Sequence, residues 1–424
     1  MEKFYIKNMG CKSNQLEGAI IKEKLQNAGY IWNEDLAQCD IFILNSCTVT
    51  HKSDKEAIYL INQAKKKNPK IKTILTGCFA QIEKEKLLEN KNIDTIIGNN
   101  EKLDILNYLN ITNIQDIMEV KEFNKTFLHD TNKTRAYLKI QDGCDNRCSY
   151  CIIPFARGKN RSADKDFILE QIKLYENAGF KELVLTGIHI GQWGYDFKNK
   201  QSLLNLIQAI EEKTTIKRFR LGSLNPLEIS DDMIDFLKTS EKFCPHFHLS
   251  LQSLCDETLK RMNRHYSAKQ ALDLILKLSE NFETPFLGCD IIAGFAGETE
   301  EEFNTTIENI KKSNLSKIHT FPYSVRKGTL AEKLSNHLPD STKVKRANII
   351  KDISNQKYAE FINKNIGQTR EVLIEKISDK TTGYHKAMTR NYIELLIKSK
   401  DENIKNTICN ATIYKEDDKI YGMI

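Results

Sequence analysis

The stretch Cys144-Asp145-Asn146-Arg147-Cys148-Ser149-Tyr150-Cys151 places three thiols on one short loop. A structural zinc site needs four protein ligands, usually in two C-x₂-C pairs, and no partner pair follows this loop. Three thiolates can instead hold three irons of a 4Fe–4S cluster, whose ligands are ordinarily cysteines. The spacing therefore predicts an iron–sulfur centre with Cys144, Cys148 and Cys151, here called the loop triad, as its ligands.

A cluster held by three cysteines leaves its fourth iron open. An open iron can chelate the amino and carboxylate groups of S-adenosylmethionine (SAM), and an electron from the cluster can split the sulfonium into a 5′-deoxyadenosyl radical. The loop also follows a predicted strand at Tyr137–Ile140. In these residues the chain resembles the radical SAM superfamily, and the resemblance implies SAM and a 4Fe–4S cluster as cofactors.

The composition is that of a globular protein of two or three domains. The chain has 424 residues, of which 40% are hydrophobic and 28% charged. No apolar run approaches the roughly 18 residues that a membrane span needs, and the first residues contain no apolar signal segment. We therefore expect a cytoplasmic protein without a membrane partner, whose eleven cysteines are reduced. The net charge of +6 permits a polyanionic partner without demanding one.

Three further thiols follow predicted strands in the first part of the chain. Residues 1–117 alternate between apolar strands and helices, which predicts an open parallel α/β sheet. The predicted strands are Lys3–Asn8, Ile41–Asn45, Ile71–Thr76 and Ile93–Ile97. Cys11, Cys47 and Cys78, here called the rim triad, follow the first three. Because ligands bind at the carboxyl ends of such strands, we expect these thiols to converge on one rim and hold a second cluster. Cys39 precedes its strand and is expected to be structural.

The sequences around the rim triad resemble the three cysteine motifs of the methylthiotransferase domain. These motifs are Gly10-Cys11-Lys12-Ser13-Asn14-Gln15, Asn45-Ser46-Cys47-Thr48-Val49-Thr50 and Thr76-Gly77-Cys78-Phe79-Ala80-Gln81. The chain thus resembles the radical SAM methylthiotransferase family over nearly its whole length. The resemblance implies an N-terminal methylthiotransferase domain (1–117), a radical SAM domain (130–366) and a C-terminal TRAM domain (367–424).

The middle of the chain predicts a partial (β/α) barrel of six strands with five intervening helices. The predicted strands are Tyr137–Ile140, Glu182–Thr186, Arg218–Gly222, His246–Leu251, Phe286–Ile292 and Lys317–Tyr323. The working face of such a barrel lies at the carboxyl ends of its strands. The SAM contacts expected there are Tyr150, Ser223, Gln252, Asp290 and Gly294. For each polar member, a hydrogen bond to the next loop is an equally good interpretation.

Residues 367–424 carry short strand-like runs, which predict a small β-barrel: Glu371–Glu375, Tyr392–Ile397, Thr407–Tyr414 and Ile420–Ile424. In this position the barrel resembles the OB-like TRAM domain. Ten Lys and Arg stand against nine Asp and Glu in 367–424, so RNA binding by this domain rests on the resemblance. Tyr384, His385, Lys386 and Arg390 either contact bases and phosphates or form a solvated loop.

Within the family, local motifs favour one target. Pro154-Phe155-Ala156-Arg157-Gly158 and Phe321-Pro322-Tyr323-Ser324 look like the MtaB type, which implies transfer of a methylthio group to carbon 2 of threonylcarbamoyladenosine in the tRNA anticodon loop. The resemblance also implies an electron donor protein. No side-chain base can deprotonate an unactivated aryl C–H near neutral pH, and the sequence leaves the catalytic side chains unknown.

Two alternatives stay open on the sequence. One is a methylthiotransferase that acts on isopentenyladenosine in tRNA or on an aspartate of a ribosomal protein. The other belongs to a different class, a non-catalytic RNA-binding iron–sulfur redox sensor.

Overall fold

The N-terminal part is an open, fully parallel sheet. The computed structural model describes residues 1–126, 128 and 133–424. The sheet contains, in the order β2-β1-β3-β4-β5, the strands β1 (Lys3–Asn8), β2 (Ile31–Trp32), β3 (Ile41–Ser46), β4 (Lys72–Gly77) and β5 (Thr95–Ile97). Its helices are α1 (Lys12–Asn27), α2 (His51–Lys67), α3 (Cys78–Ile82), α4 (Lys84–Leu88) and α5 (Ile105–Tyr108). Apolar clusters cover both faces, and every residue of β3 is buried. The predicted parallel sheet is confirmed; the two-residue edge strand β2 was too short to predict.

The central part is the expected partial barrel. Its strands are β6 (Arg135–Lys139), β7 (Gln141–Asp142), β8 (Arg161–Ser162), β9 (Glu182–Thr186), β10 (Arg218–Leu221), β11 (Ser223–Leu224), β12 (His246–Gln252), β13 (Phe286–Ala293) and β14 (Lys317–Pro322). Its helices are α6 (Ile153–Arg157), α7 (Lys165–Asn177), α8 (Leu203–Lys213), α9 (Asp231–Thr239), α10 (Asp256–Arg261), α11 (Ala268–Asn281) and α12 (Glu300–Lys312). The parallel sheets β6-β9-β10 and β11-β12-β13-β14 meet where β10 runs into β11. The antiparallel ribbon β7–β8, which flanks the loop triad, was not predicted.

The C-terminal part is a closed five-stranded barrel, as predicted. It follows the long helix α13 (Asp340–Asn365) and consists of β15 (Thr369–Ser378), β16 (His385–Thr389), β17 (Glu394–Ile397), β18 (Ile408–Glu416) and β19 (Lys419–Met423). The barrel docks beside the amino ends of the central strands, where Arg220 donates to the backbone carbonyls of Thr389 at 2.7 Å and Arg390 at 2.6 Å. The predicted start of the central domain, residue 130, lies outside the described residues.

Two residues considered as RNA contacts are engaged within the protein. His385 is fully buried in the C-terminal barrel. The Arg390 guanidinium donates to the carbonyls of Glu241 at 2.6 Å and Phe243 at 2.7 Å. The interpretation of His385 as an RNA contact is therefore wrong, because the barrel buries this side chain. Arg390 helps to dock the barrel, and its role as an RNA contact stays a prediction. Within the described part of the chain, no helix combines the length and apolar character needed to cross a membrane.

Beside the docking contact lies a buried carboxylate, Glu182, from which we predict how the stability of the protein changes in acid. Glu182 is fully buried and accepts hydrogen bonds from both Arg218 at 2.8 Å and Arg220 at 2.7 Å. Burial alone would raise the pKa of Glu182, but the two arginines lower it to about 2. A carboxyl with a depressed folded pKa stabilises the fold above its unfolded pKa, about 4.3 for Glu, and loses that contribution as pH falls toward the folded value.

We therefore expect the melting temperature of the wild type to fall between about pH 4.3 and about 2 more steeply than that of Glu182→Gln. Thermal unfolding followed by circular dichroism across this range measures the difference. Glu402→Gln, at a carboxylate that pairs with Lys405 on the surface, is the control and should follow the wild type. Parallel curves for Glu182→Gln and the wild type would contradict the role of Glu182.

Candidate active site

The rim triad occupies one edge of the N-terminal sheet. Cys11 follows β1, Cys47 follows β3 and Cys78 follows β4, which are three neighbouring strands. All three are free thiols. Burial raises the pKa of the Cys47 thiol to about 11, and the nearby thiols of Cys78 and Cys11 add to this rise. The sheet thus brings together three thiols that are far apart in sequence.

A glycine makes this approach of the chain possible. Gly10 has a φ of +80°, and a Cβ built on it would lie 2.7 Å from Cys47 Sγ. Only glycine tolerates both the left-handed backbone and the contact. Cys39, expected to be structural, lies at the opposite end of the sheet, where its thiol donates to the Asn33 carbonyl at 3.2 Å.

The loop triad is held by the backbone of the barrel. The amide of Cys144 donates to Gly158 O at 3.0 Å, and the amide of Ser149 donates to Met262 O at 3.0 Å. Burial raises the pKa of Cys151 to about 12, and the thiols of Cys148 and Cys144 add to the rise. The three thiols of this loop therefore lie close to one another.

Two basic side chains to which the sequence assigned no role contact the loop triad. His189 Nδ1 lies 3.4 Å from Cys144 Sγ, and its Nε2 pairs with Glu228. Arg264 donates from Nη1 to Cys148 Sγ at 3.5 Å and from Nη2 to the Ser250 carbonyl at 2.6 Å. Their positions far along the chain gave no local signal, because only the closure of the barrel brings them to this loop.

Both triads offer three thiols, the ordinary ligand type of a 4Fe–4S cluster. Across residues 1–126, 128 and 133–424, no three Cys, His, Asp or Glu side chains converge tightly enough to hold one metal ion. The ligands of a 4Fe–4S cluster bind separate irons and therefore lie farther apart than the ligands of one ion. Three thiols without a fourth ligand do not complete a structural zinc tetrahedron. The chemistry of each triad thus suits a cluster with one open iron.

One thiol of each triad lines a shared cavity. The cavity has a volume of about 370 Å³, and these two thiols are Cys11 and Cys151. Tyr150, Gln252 and Asp290 also line it. The cavity therefore lies between the N-terminal sheet and the carboxyl ends of the barrel strands, and it has room for a small ligand.

The five expected SAM contacts separate into two groups. Tyr150, Gln252 and Asp290 line the cavity, whereas Ser223 and Gly294 are not among its lining residues. Ser223 Oγ lies 2.6 Å from Ser250 Oγ. Gly294, with a φ of +73°, is packed so closely on α13 that an added Cβ would lie 2.6 Å from Cγ of Lys343.

A buried network of charged side chains lies beneath the rim triad. The Glu17 carboxylate, 1% exposed, pairs with three cations: Arg157 at 2.6 Å, Lys102 at 2.5 Å and Lys139 at 2.5 Å. Burial alone would raise the pKa of Glu17, but these cations lower it well below its ordinary range. Burial and the nearby Arg157 also lower the pKa of Lys102. Glu17 does not offset this effect fully, because several cations share its carboxylate.

Sequence reasoning missed this network. The sequence offers one indication of it, because Glu17 lies on the same face of α1 as the buried apolar residues Leu16, Ile20 and Ile21. Arg157 stood inside a motif that indicated only the family. Its partner Glu17 is 140 positions away, so the contact exists only after the N-terminal sheet and the barrel have packed together.

A three-cysteine loop at the carboxyl ends of a partial α/β barrel defines a class of enzyme, the radical SAM enzymes. A profile of the Radical SAM superfamily matches residues 138–310. A second profile, described as Uncharacterized protein family UPF0004, matches residues 3–98.

Relatives extend the match over most of the chain. The threonylcarbamoyladenosine tRNA methylthiotransferase MtaB of Aquifex aeolicus is 35% identical over 407 residues, covering 93% of this chain and 96% of its own. The MtaB of Bacillus subtilis is 32% identical over 412 residues, covering 93% and 90%. A tRNA-2-methylthio-N(6)-dimethylallyladenosine synthase of Clostridium botulinum is 31% identical, covering 89% and 86%. The chain belongs to the radical SAM tRNA methylthiotransferase family.

It is therefore a tRNA-modifying transferase, and its radical SAM domain implies SAM and a 4Fe–4S cluster as cofactors. Among solved structures, the radical S-adenosylmethionine methyltransferase TsrM of Kitasatospora setae is similar, with a TM-score of 0.55 at 11% identity, covering 76% of this chain and 73% of its own. The cobalamin-dependent radical enzyme OxsB reaches 0.51 at 12% identity, covering 84% and 56%. At these identities the likeness concerns the fold alone.

Proposed function

We propose that this protein adds a methylthio group to carbon 2 of threonylcarbamoyladenosine in the anticodon loop of tRNA. The observation that carries the proposal is the shared cavity, since Cys11 of the rim triad and Cys151 of the loop triad line the same space. Unpaired bases of a tRNA loop can be splayed into such a pocket at low cost. Relatives named for this nucleoside, at 35% and 32% identity, support the choice of substrate.

The proposed roles follow the two triads. The loop triad binds one 4Fe–4S cluster and the rim triad a second, while Tyr150, Gln252 and Asp290 contact SAM. When bound, these groups supply a 5′-deoxyadenosyl radical for removal of the hydrogen at carbon 2, a sulfur atom and a methyl group. An electron donor protein provides the reducing equivalent. The proposed domains are 1–117, 130–366 and 367–424.

Arg326 favours the threonylcarbamoyl substrate. The residue lines the cavity and is 3% exposed, and its Nη2 donates to Thr48 Oγ1 at 2.7 Å and pairs with Asp54 at 2.6 Å. Within the described residues, its Nε and Nη1 have no hydrogen-bond partner. A guanidinium is a suitable charge-assisted hydrogen-bond donor for the threonyl carboxylate, whereas an isopentenyl group has no acceptor to offer.

Isopentenyladenosine in tRNA is the second candidate substrate. The relative named as a dimethylallyladenosine synthase is 31% identical to this chain. The cavity also has apolar walls, which include Val49, Ile152, Ile153 and Phe321. These side chains suit an apolar substituent on the adenine.

A paired substrate assay decides between the two nucleosides. Anaerobically reconstituted enzyme with SAM and a reductant is offered anticodon stem-loop RNA that carries either modified adenosine, and the nucleosides are analysed by mass spectrometry. We expect kcat/KM to be at least roughly tenfold higher for threonylcarbamoyladenosine than for isopentenyladenosine. The reason is that isopentenyladenosine would leave a buried polar group of the site without a hydrogen-bond partner. Methylthio product from isopentenyladenosine alone would contradict the assignment.

A further inference from the structure

The network beneath the rim triad carries more positive than negative charge. Two carboxylates face four cations, which are Glu17 and Asp142 against Lys102, Lys139, Arg157 and Arg161. All four cations are buried. Buried charge without a counter-charge is costly, so the network points to an anionic group beside it. A cluster held by three thiolates is such a group, since its thiolates outweigh the charge of its core.

Arg157 is a cation of this network that contacts the rim triad. Its guanidinium, 1% exposed, donates from Nε to Cys78 Sγ at 3.3 Å. Its Nη1 and Nη2 donate to the two carboxylate oxygens of Glu17 at 2.6 and 2.9 Å, and Nη2 also donates to Asn14 Oδ1 at 3.2 Å. A bidentate pair fixes the plane of a guanidinium. Glu17 therefore aims the Nε–H of Arg157 at the thiol.

The same region ties Cys78 to the segment that follows the loop triad. Arg157 ends α6, the short helix directly after that triad. Asn99 Nδ2 lies 3.6 Å from Cys78 Sγ and donates to the Ala156 carbonyl at 2.7 Å. Cys78 thus receives two N–H contacts, and both depend on the position of α6. The hydrogen bonds to Cys78 of the rim triad therefore depend on the segment that directly follows the loop triad.

We propose that Arg157 is a positioning residue that raises the reduction potential of a cluster on the rim triad by donating its Nε–H to Cys78. Hydrogen bonds to sulfur and nearby positive charge stabilise the reduced, more negative state of an iron–sulfur cluster. Outer contacts of this kind tune a metal centre without binding the metal themselves. The inference rests on the proposed function, because it requires a cluster on Cys11, Cys47 and Cys78.

The test measures a potential rather than turnover. In a full-length parent with Cys144, Cys148 and Cys151 all changed to Ala, the rim triad is the expected site for a reconstituted cluster. Iron content and a redox titration followed by electron paramagnetic resonance are then compared for the parent and for Arg157→Gln. We expect Arg157→Gln to retain iron and to show a more negative reduction potential. Arg157→Lys, which keeps the charge but not the fixed donor geometry, should show a smaller shift in the same direction.

Arg264→Gln in the same parent is the matched control. Arg264 contacts Cys148, a loop-triad position that is already Ala in this parent, so its loss should leave the potential unchanged. An unchanged potential in Arg157→Gln, or equal shifts in Arg157→Gln and Arg264→Gln, would overturn the inference. If Arg157→Gln does not fold, the potential of Arg157→Lys decides in the same way.

Two further outcomes separate this inference from the function on which it rests. A folded parent that binds no iron would contradict the second cluster itself. A parent that binds iron, with both Arg157 variants losing it while remaining folded, would overturn the inference alone. Arg157 would then be needed to hold the cluster rather than to set its potential.

Discussion

Cys47→Ala enzyme is expected to cleave SAM at the wild-type rate and to form no methylthio product. Cys47 belongs to the rim triad, whereas the proposed SAM chemistry takes place at the loop triad on the barrel. Losing one of three ligands should release the second cluster and about half of the bound iron. The measurement quantifies 5′-deoxyadenosine and methylthio nucleoside by mass spectrometry in one anaerobic reaction, with iron determined on the same sample.

Cys39→Ala is the matched control for this experiment. Cys39 is a buried thiol of the same sheet but precedes β3 instead of following it, so its variant should keep its iron and its product. Full product formation by Cys47→Ala would show that the reaction does not need the rim triad. Loss of 5′-deoxyadenosine together with product would show that the two triads do not act separately.

Glu17→Gln is expected to lower the free energy of unfolding by about 3–5 kcal/mol, the usual cost of removing one partner from a buried ion pair. Lys102 and Arg157 both rely on Glu17, and these cations cannot escape to water because they are buried. The effect should be large because Glu17 and Lys102 belong to the N-terminal sheet region, while Arg157 belongs to the barrel. Urea unfolding of the wild type and variant in the same cluster state measures the difference.

An exposed carboxylate provides the comparison for Glu17. Glu308 pairs with Lys312 on the surface of α12, and Glu308→Gln should cost no more than about 0.5 kcal/mol because solvent screens such pairs. If Glu17→Gln were as small in effect as Glu308→Gln, the network would not stabilise the packing of the sheet against the barrel.

Much of the fold could be predicted because its signals are local. β1 and β9 occupy the predicted residues, since short apolar runs between helical segments define buried parallel strands. β16 (His385–Thr389) was missed because its sequence, His-Lys-Ala-Met-Thr, lacks a clear alternation, although it closes the C-terminal barrel. The convergence of the rim triad could also be anticipated, because the carboxyl ends of neighbouring parallel strands share one edge.

The surroundings of the triads could not be predicted in the same way. Arg264, which contacts Cys148, is 116 positions from it, and Arg157 is 79 positions from Cys78. No periodicity or spacing links residues at such separations. Gly294 stays a predicted SAM contact, and only the structure showed that its backbone is packed against Lys343 of α13.

The sequence by itself determined the class of chemistry, because the ligands of the loop triad lie within one short segment and the strand pattern specifies the rim on which Cys11, Cys47 and Cys78 lie. Only the tertiary structure decided that Cys11 and Cys151 open onto one cavity and that Arg157 reaches both Glu17 and Cys78. The physical reason is that these contacts form between the N-terminal sheet and the barrel, and their geometry is set by how the two surfaces pack rather than by either segment alone.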